Sequence, residues 1–388
     1  MNQHILKNIS DPVVFEENRL PAHSDHLVYK NKAELLSGTS SLCYSLNGVW
    51  KFDYSINPDS TPDSFEALDY DCNNWDDIRV PAHIQMEGYD RPHYANVAYP
   101  WDGRQALKSG EVPTDFNPVG SYVKYFTLPN DFIKDSLILR FEGVESAAAI
   151  WLNGHYIGYF EDSFTPSEFD LTKYVVDGEN KLAIQVVKWC AGSWLEDQDF
   201  FRFSGIFRDI YLYTKQKCHL EDIEIKQVFE KGNFDNVKLN LSIDLSNNAN
   251  VALRLFDAMD LTLKSNEFKS FDEVPVVYES VNNLHSGKNK LSFDVVAPKL
   301  WSAEIPNLYT LLIEIFDGET LLEVSTVKIG IRLFEKNADN VMTLNGKRIV
   351  FAGVDRHDFS SKFGRAITFD EIKKDIVTMK ENNINAIR

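Results

Sequence analysis

The clearest periodic signal is Val237-Lys-Leu-Asn-Leu-Ser-Ile-Asp-Leu245, with apolar residues at 237, 239, 241, 243 and 245 and polar residues between them. Strict alternation sends one side of an extended chain into a core and the other into water, so this run predicts a half-buried strand. Val251 to Phe256, Leu291 to Val295 and Leu308 to Phe316 carry related signals, and an Asp317-Gly318 turn leads into Leu321 to Ile329. About seven short strands over 218–335 predict an immunoglobulin-like β-sandwich.

Upstream the β signal is denser. Tyr122, Tyr125 and Phe126 share one run, and Leu137, Leu139 and Phe141 alternate in the next. Ala149 to Gly158 folds back at Asn153-Gly154, a dipeptide suited to the left-handed backbone of a tight hairpin. Leu182 to Trp189 and Ile206 to Tyr213 complete at least five strands. With the Asn47-Gly48 turn and the aromatic run to Asp53, this density predicts a jelly-roll-like sandwich over 46–217. Residues 1–45 are polar, contain Pro12 and Pro21, and read as an irregular segment wrapping over a neighbouring domain.

The period changes towards the end. Asn345-Gly346 separates two short β runs, and Phe351 to Asp358 ends a buried-looking strand in a polar cluster. Thr368, with Glu371 three residues on, is a capping box for a helix carrying Phe369, Ile372, Ile376 and Met379 on one face. Asn382-Asn383 stops it, and Ile384 to Arg388 reads as another strand. A single β-α-β unit buries too little to stand alone. Residues 336–388 are therefore expected to begin a (β/α)8 TIM barrel, whose reactive groups lie where strands end. His357 and Arg388 fall at or beyond two such ends. The fold class is mainly β: a jelly-roll-like sandwich, an immunoglobulin-like sandwich, then the first β-α-β of a barrel, with an open edge beside Ile384 that should be sticky.

Composition narrows the function. The 388 residues are 44% hydrophobic and 25% charged, as in soluble globular proteins, and the net charge of -18 argues against nucleic acid and anionic membranes. Aromatics at 13% suit β-rich architecture and also sugar-stacking surfaces. Cys43, Cys72, Cys190 and Cys218 are far apart without metal-ligand spacing, and Met1 to Leu6 does not resemble a signal peptide. Reduced thiols in the cytoplasm are the expectation. No zinc-protease, phosphate-loop or nucleophile-elbow motif occurs. His23 and His26 lack a third ligand and read as surface, and Ala147 to Ala149 reads as small-residue packing.

Several stretches then form an ordered series. They are Leu46-Asn-Gly-Val-Trp-Lys-Phe, Pro81-Ala-His-Ile-Gln-Met-Glu-Gly-Tyr-Asp90, Tyr94-Ala-Asn-Val-Ala-Tyr-Pro100 and Asn117-Pro-Val-Gly-Ser-Tyr122. Asp162 to Leu171, Leu195 to Asp209, Gly353-Val-Asp-Arg-His357 and Met379 to Arg388 follow. In this order they resemble glycoside hydrolase family 2, specifically its large bacterial β-galactosidases, over nearly the whole chain.

The resemblance implies hydrolysis of terminal, non-reducing β-galactosides such as lactose, with retention. Such chemistry needs an acid/base and a nucleophile carboxyl about 5–5.5 Å apart. In the family both are glutamates on later barrel strands, as are the Mg2+ ligands, so neither set is expected within this chain. Four positions here match sugar-site residues. Asn96 would reach the galactose; Asp199 would ligate sodium (Na+) beside the 6-hydroxyl; His357 would bond the sugar; Arg388 would lie by the nucleophile. Taken without the resemblance, Asn96 reads as a turn residue, Glu196, Asp197 and Asp199 as a solvated acidic loop, His357 as a surface histidine and Arg388 as a surface charge. The competing readings of the whole are a non-catalytic carbohydrate-binding or scaffold module and one chain of a split enzyme. The expected partners are β-galactoside sugars, further copies in a homo-oligomer, or a complementing remainder of the enzyme.

Overall fold

The computed structural model describes residues 1–388 except 131, 133–135, 197–198, 231, 258–270 and 272–273. Two compact units emerge. One comprises Met1–Ala22, Cys43–Thr214 and Asp358–Ile372; the other His23–Leu42, Lys215–His357 and Lys373–Arg388.

In the first unit a seven-stranded antiparallel sheet runs in the order Glu16–Glu17, His155–Phe160, Ala147–Leu152, Glu179–Val187, Val119–Thr127, Gly48–Ser55, Asp76–Val80. A four-stranded sheet has the order Ser167–Asp170, Leu137–Phe141, Ile210–Thr214, Cys43–Ser45. One core joins them, with Trp50, Phe52, Tyr122, Ile150 and Ile184 meeting Leu139, Phe141, Phe169 and Leu212. The larger sheet is covered on its other face too, where Ile5, Ile9, Phe65, Trp151 and Tyr159 pack together. A strand buried on both faces loses its polar positions. That is why Ala147–Leu152 reads as an unbroken apolar run, with Ala148 in one core and Ala147 and Ala149 in the other. Its hairpin turns at Asn153 (φ 53°) and Gly154 (φ 81°), both left-handed, as the dipeptide predicts.

The N-terminal segment departs from the expectation of irregularity. Gln3–Ile9 is a helix, capped by Asn2 accepting from the His4 amide at 2.9 Å, and Ile5 and Ile9 are 1% exposed. Two apolar residues four apart are too few to reveal a period; burial on the sheet holds this single helix pair in place. The segment does reach two bodies by strand addition. Glu16–Glu17 pairs with His155–Phe160 in the first unit, and Val28–Tyr29 pairs with Thr320–Ile329 in the second. His23 and His26 also depart from expectation. Both are half-buried, and His26 Nε2 lies 3.2 Å from the Leu220 carbonyl.

The second unit is a two-layer sandwich. Leu220–Phe229, Asn236–Leu245 and Gly287–Val296 form one sheet; Val28–Tyr29, Thr320–Ile329, Tyr309–Asp317, Ala249–Phe256 and Val276–Leu284 form the other, in that order. Val237, Leu239, Leu241, Ile243 and Leu245 all enter its core, as their alternation predicts.

Beyond it, Phe334–Lys336, Met342–Leu344 and Lys347–Arg348 form a small sheet turning at Asn345 and Gly346. Gly353–Val354 and Ala386–Ile387 then pair in parallel around the helix Phe369–Glu381. Thr368 and Glu371 exchange reciprocal bonds at its start, the Thr368 amide reaching Glu371 at 2.9 Å, and Asn383 is left-handed (φ 59°) after its end. The buried-looking strand is in fact exposed, and the helix buries no residue. Two short parallel strands and one helix cover little of themselves.

Candidate functional site

Within the first unit, His93–Ala95 and Phe200–Arg202 form a two-stranded antiparallel ribbon, with Phe200 opposite Ala95, Phe201 opposite Tyr94 and Arg202 opposite His93. Extended by one residue, this register sets Asn96 opposite Asp199. Opposed residues in such a ladder hold their Cβ atoms roughly 4.5–5.5 Å apart. Two residues distant in sequence, both candidates from the motifs, thus share one end of one ribbon. Both are exposed. Side chains alternate along a strand, so Tyr94 shares the face of Asn96. Its hydroxyl donates to Asp199 Oδ1, the diagonal contact the register allows, and this bond raises the Tyr94 phenol above its ordinary pKa.

Glu196 is not the solvated loop carboxylate its neighbourhood suggests. It is half-buried, accepting from the Ser163 amide at 3.1 Å and the Ser163 hydroxyl at 2.6 Å. Burial pushes its carboxyl up to about 7, against the opposing pull of those bonds. Gly192, one turn before Glu196, donates its amide to the buried Glu161 carboxylate at 2.8 Å. Two carboxylates therefore pin the short helical turn Ala191–Trp194 that leads towards Asp199. Asp197 lies outside the described residues.

From the other direction the ribbon is held by a segment no sequence signal marked. Arg365 donates to Glu145 at 2.5 Å and to the Phe201 carbonyl at 2.6 Å, with its guanidinium over the Phe164 and Phe203 rings. Glu145 is 5% exposed; burial raises its pKa and Arg365 opposes that rise. Phe359 stacks on Phe201, ring centres 5.1 Å apart. Gly364 is left-handed (φ 62°), and a Cβ there would meet His83 at 2.7 Å. His83 is itself sandwiched between Phe203 and Phe207. The stretch 358–368 thus packs onto the body that carries the ribbon.

In the second unit, Arg388 follows the Ala386–Ile387 strand and continues the parallel ladder. Its amide donates to the Val354 carbonyl at 3.0 Å, and its own carbonyl accepts from the Arg356 amide at 3.0 Å. His357 comes next and is exposed. The Arg388 side chain is 87% exposed and lies 3.7 Å from Asp355. Within the first unit Asn96 and Asp199 flank the same end of the ribbon, and within the second His357 and Arg388 lie at neighbouring strand ends. Tyr94, Ser163 and Arg365 were missed by sequence reading. Tyr94 and Ser163 lie inside motifs of the ordered series, whereas Arg365 carried no local signal.

A single carboxylate with one oxygen bonded to Tyr94 suits one position of a sodium shell, as oxygen ligands suit hard cations. Among the described residues no group of three or more His, Cys, Asp or Glu is gathered to hold a metal ion. None of the four cysteines forms a disulfide, and no described helix is long and apolar enough to cross a membrane.

Three family models cover most of the chain. The glycosyl hydrolases family 2 sugar binding domain matches 43–216, the family 2 model 218–332, and the family 2 TIM barrel domain 336–388. The chain belongs to glycosyl hydrolase family 2. A β-galactosidase of Halalkalibacterium halodurans is 47% identical over 385 residues, which is 98% of this chain and 36% of that protein. A β-galactosidase of Streptococcus thermophilus is 41% identical, covering all of this chain and 36% of the relative. A β-galactosidase large subunit of Lactobacillus helveticus is 40% identical, over 98% of this chain and 60% of the subunit. The chain therefore spans between about a third and three fifths of the length of these relatives. Among solved structures, a Bacteroides uniformis β-glucuronidase superposes with a TM-score of 0.70 at 21% identity, over 89% of this chain and 39% of that one. At that identity the likeness concerns the fold.

Proposed function

We propose that the complete protein is a β-galactosidase that hydrolyses terminal, non-reducing β-galactosides, lactose among them, with retention of configuration. The observation that carries this reading is the bond from Tyr94, two residues before Asn96, to Asp199 across the end of the ribbon. The names of the sequence relatives support it. In this reading the Asn96 amide, both donor and acceptor, bonds ring hydroxyls. Asp199 supplies one carboxylate oxygen to a sodium ion beside the sugar's 6-hydroxyl. His357 bonds the sugar from its strand end, and Arg388 supplies positive charge near the nucleophile. No residue of this chain is assigned as acid/base or nucleophile, and Mg2+ is left to ligands outside the described residues. The setting that fits four cysteines outside any disulfide is the cytoplasm.

A second reading has a specific observation in its favour. Relatives named as β-galactosidase large subunits match at 40–42% identity, so a chain of this kind can work with a complementing partner. Assembly as a homo-oligomer is compatible with either.

The test is hydrolysis of a chromogenic aryl β-galactoside, with sodium and magnesium present, by the 388-residue chain and by the full-length gene product. Turnover by the full-length product and none by the 388-residue chain is expected. Turnover that follows the 388-residue chain through purification would move the catalytic carboxyls into it, with Glu196 and Asp199 first to be substituted. A full-length product inert on galactosides and active on glucuronides would overturn the substrate class.

A further inference from the structure

The ribbon has a second face. His93 and Arg202 oppose one another in register, one position from Tyr94, so they point away from the face of Asn96 and Asp199. On the His93 side lies a cavity of about 720 Å3, whose walls include Tyr54, Arg91, His93, Arg104, Phe116, Lys188 and one carboxylate, Asp90. That is ordinary for a small-molecule pocket. A smaller lobe of about 50 Å3 shares His93, Arg104 and Phe116, includes Asp115 and reaches Trp101.

Three features of these walls belong together. First, the cavity is cationic in a chain of net charge -18. Lys188 is paired with Asp90 at 2.5 Å, both side chains nearly inaccessible, and Asp90 also accepts from Gln85 at 3.0 Å. The exposed guanidinium groups of Arg91 and Arg104 enter no ion pair among the described residues, so their charge faces the opening. The field is felt inside: His93 and Lys188 are both pushed below their ordinary values, by burial first and with Arg104 adding to each. Second, a donor waits without an acceptor. Trp101 is 4% exposed, and its indole N–H has no partner among the described residues. Stacking on Tyr99 at 5.3 Å and contacts with Trp189 and Trp194 hold that ring still. A buried donor left unpaired costs stability unless something fills its place. Third, Tyr54 and Phe116 give the cavity aromatic walls of the kind on which a pyranose ring can lie.

We propose that this cavity is a second, non-catalytic site for a sugar-sized molecule bearing an oxyanion, either the carboxylate of a hexuronate or the phosphate of a sugar phosphate. Arg91 and Arg104 take the oxyanion in charge-assisted bonds, the ring lies against Tyr54 and Phe116, and a ligand oxygen accepts from Trp101. The inference does not depend on the galactosidase reading, because the two sites use opposite faces of the ribbon.

The test is isothermal titration of the full-length gene product with galacturonate, with inorganic phosphate and with neutral galactose, at low and moderate salt. Saturable binding of galacturonate or phosphate in the millimolar range or tighter is expected, weakened by added salt and by about tenfold or more in Arg104→Gln. Binding of galacturonate alone would identify a sugar acid, and binding of phosphate alone a phosphorylated ligand. Asp199→Asn should leave anion binding unchanged while affecting galactose. Arg91→Gln serves where circular dichroism shows Arg104→Gln misfolded. No saturable binding of either anion would overturn the proposal. So would anion binding equal to that of galactose and indifferent to the arginine substitutions.

Discussion

Substituting Arg365 with leucine tests whether stretch 358–368 is locked to the ribbon. The change removes a guanidinium 2.5 Å from Glu145 and 2.6 Å from the Phe201 carbonyl, while leucine keeps an apolar group among Phe164 and Phe203. Glu145 is 5% exposed and would keep the Phe203 amide and the charges of Lys188 and Arg202, but breaking its direct buried ion pair still costs about 3–5 kcal/mol. The abandoned Phe201 carbonyl adds about 1 kcal/mol. The first unit should therefore lose about 4–6 kcal/mol at pH 8, read by urea unfolding through Trp189, which lines the same small cavity as Glu145. The sign with pH follows from the carboxyl. Burial already raises its folded pKa, and loss of Arg365 raises it further, so the folded state holds the proton more tightly than the unfolded. The penalty is then largest at high pH and shrinks as pH falls through the folded pKa. Adding Glu145→Gln removes the charge and should restore most of the loss at pH 8. A single variant costing under about 1 kcal/mol, or a double variant no better than the single, would refute the reasoning.

Other consequences are equally open to measurement. Glu323 is 2% exposed with its carboxyl pushed up to about 7 by burial, so the second unit should lose about 3 kcal/mol as pH climbs from about 4.5 to 7. Glu323→Gln should flatten that slope, followed by hydrogen exchange in Tyr309–Asp317 and Thr320–Ile329 at pH 5 and 8; an unchanged slope would contradict it. Gly364→Ala combines a left-handed backbone with a Cβ 2.7 Å from His83, and should cost about 2–4 kcal/mol of first-unit stability. Tyr94→Phe touches only an exposed hydroxyl, so stability should stay within about 0.5 kcal/mol. Galactoside kcat/KM of the full-length gene product should nonetheless fall by about three- to tenfold as Asp199 loses its partner; unchanged kcat/KM would make the bond incidental.

What was legible in the sequence was local. The alternation of 237–245 and the Asn-Gly turns at 153–154 and 345–346 require only neighbours along the chain, and all three appear where they point. Two strands of the second sandwich escaped notice for physical reasons. Leu220–Phe229 carries a register shift between Leu220 and Asp222 that breaks its period, and Val276–Leu284 is largely exposed with little apolar patterning. The site divides in the same way. Asn96 and Asp199 were nameable only through motif resemblance, and their place at one end of the ribbon follows from its register. Arg365 and Glu145 are 220 residues apart, and no pattern in either neighbourhood announces the other. The cavity beside His93 was equally invisible, because a tryptophan without a partner is defined by what surrounds it.

The central claim is that Asp199 serves the 6-hydroxyl side of a galactose bound at the ribbon. It is tested most directly by comparing kcat/KM of the full-length gene product and its Asp199→Asn variant on an aryl β-galactoside and on the matching 6-deoxygalactoside. The account predicts a fall of about tenfold or more on the galactoside and little change on the 6-deoxygalactoside, which has no 6-hydroxyl to lose. Equal falls on both substrates, or none on either, would contradict it.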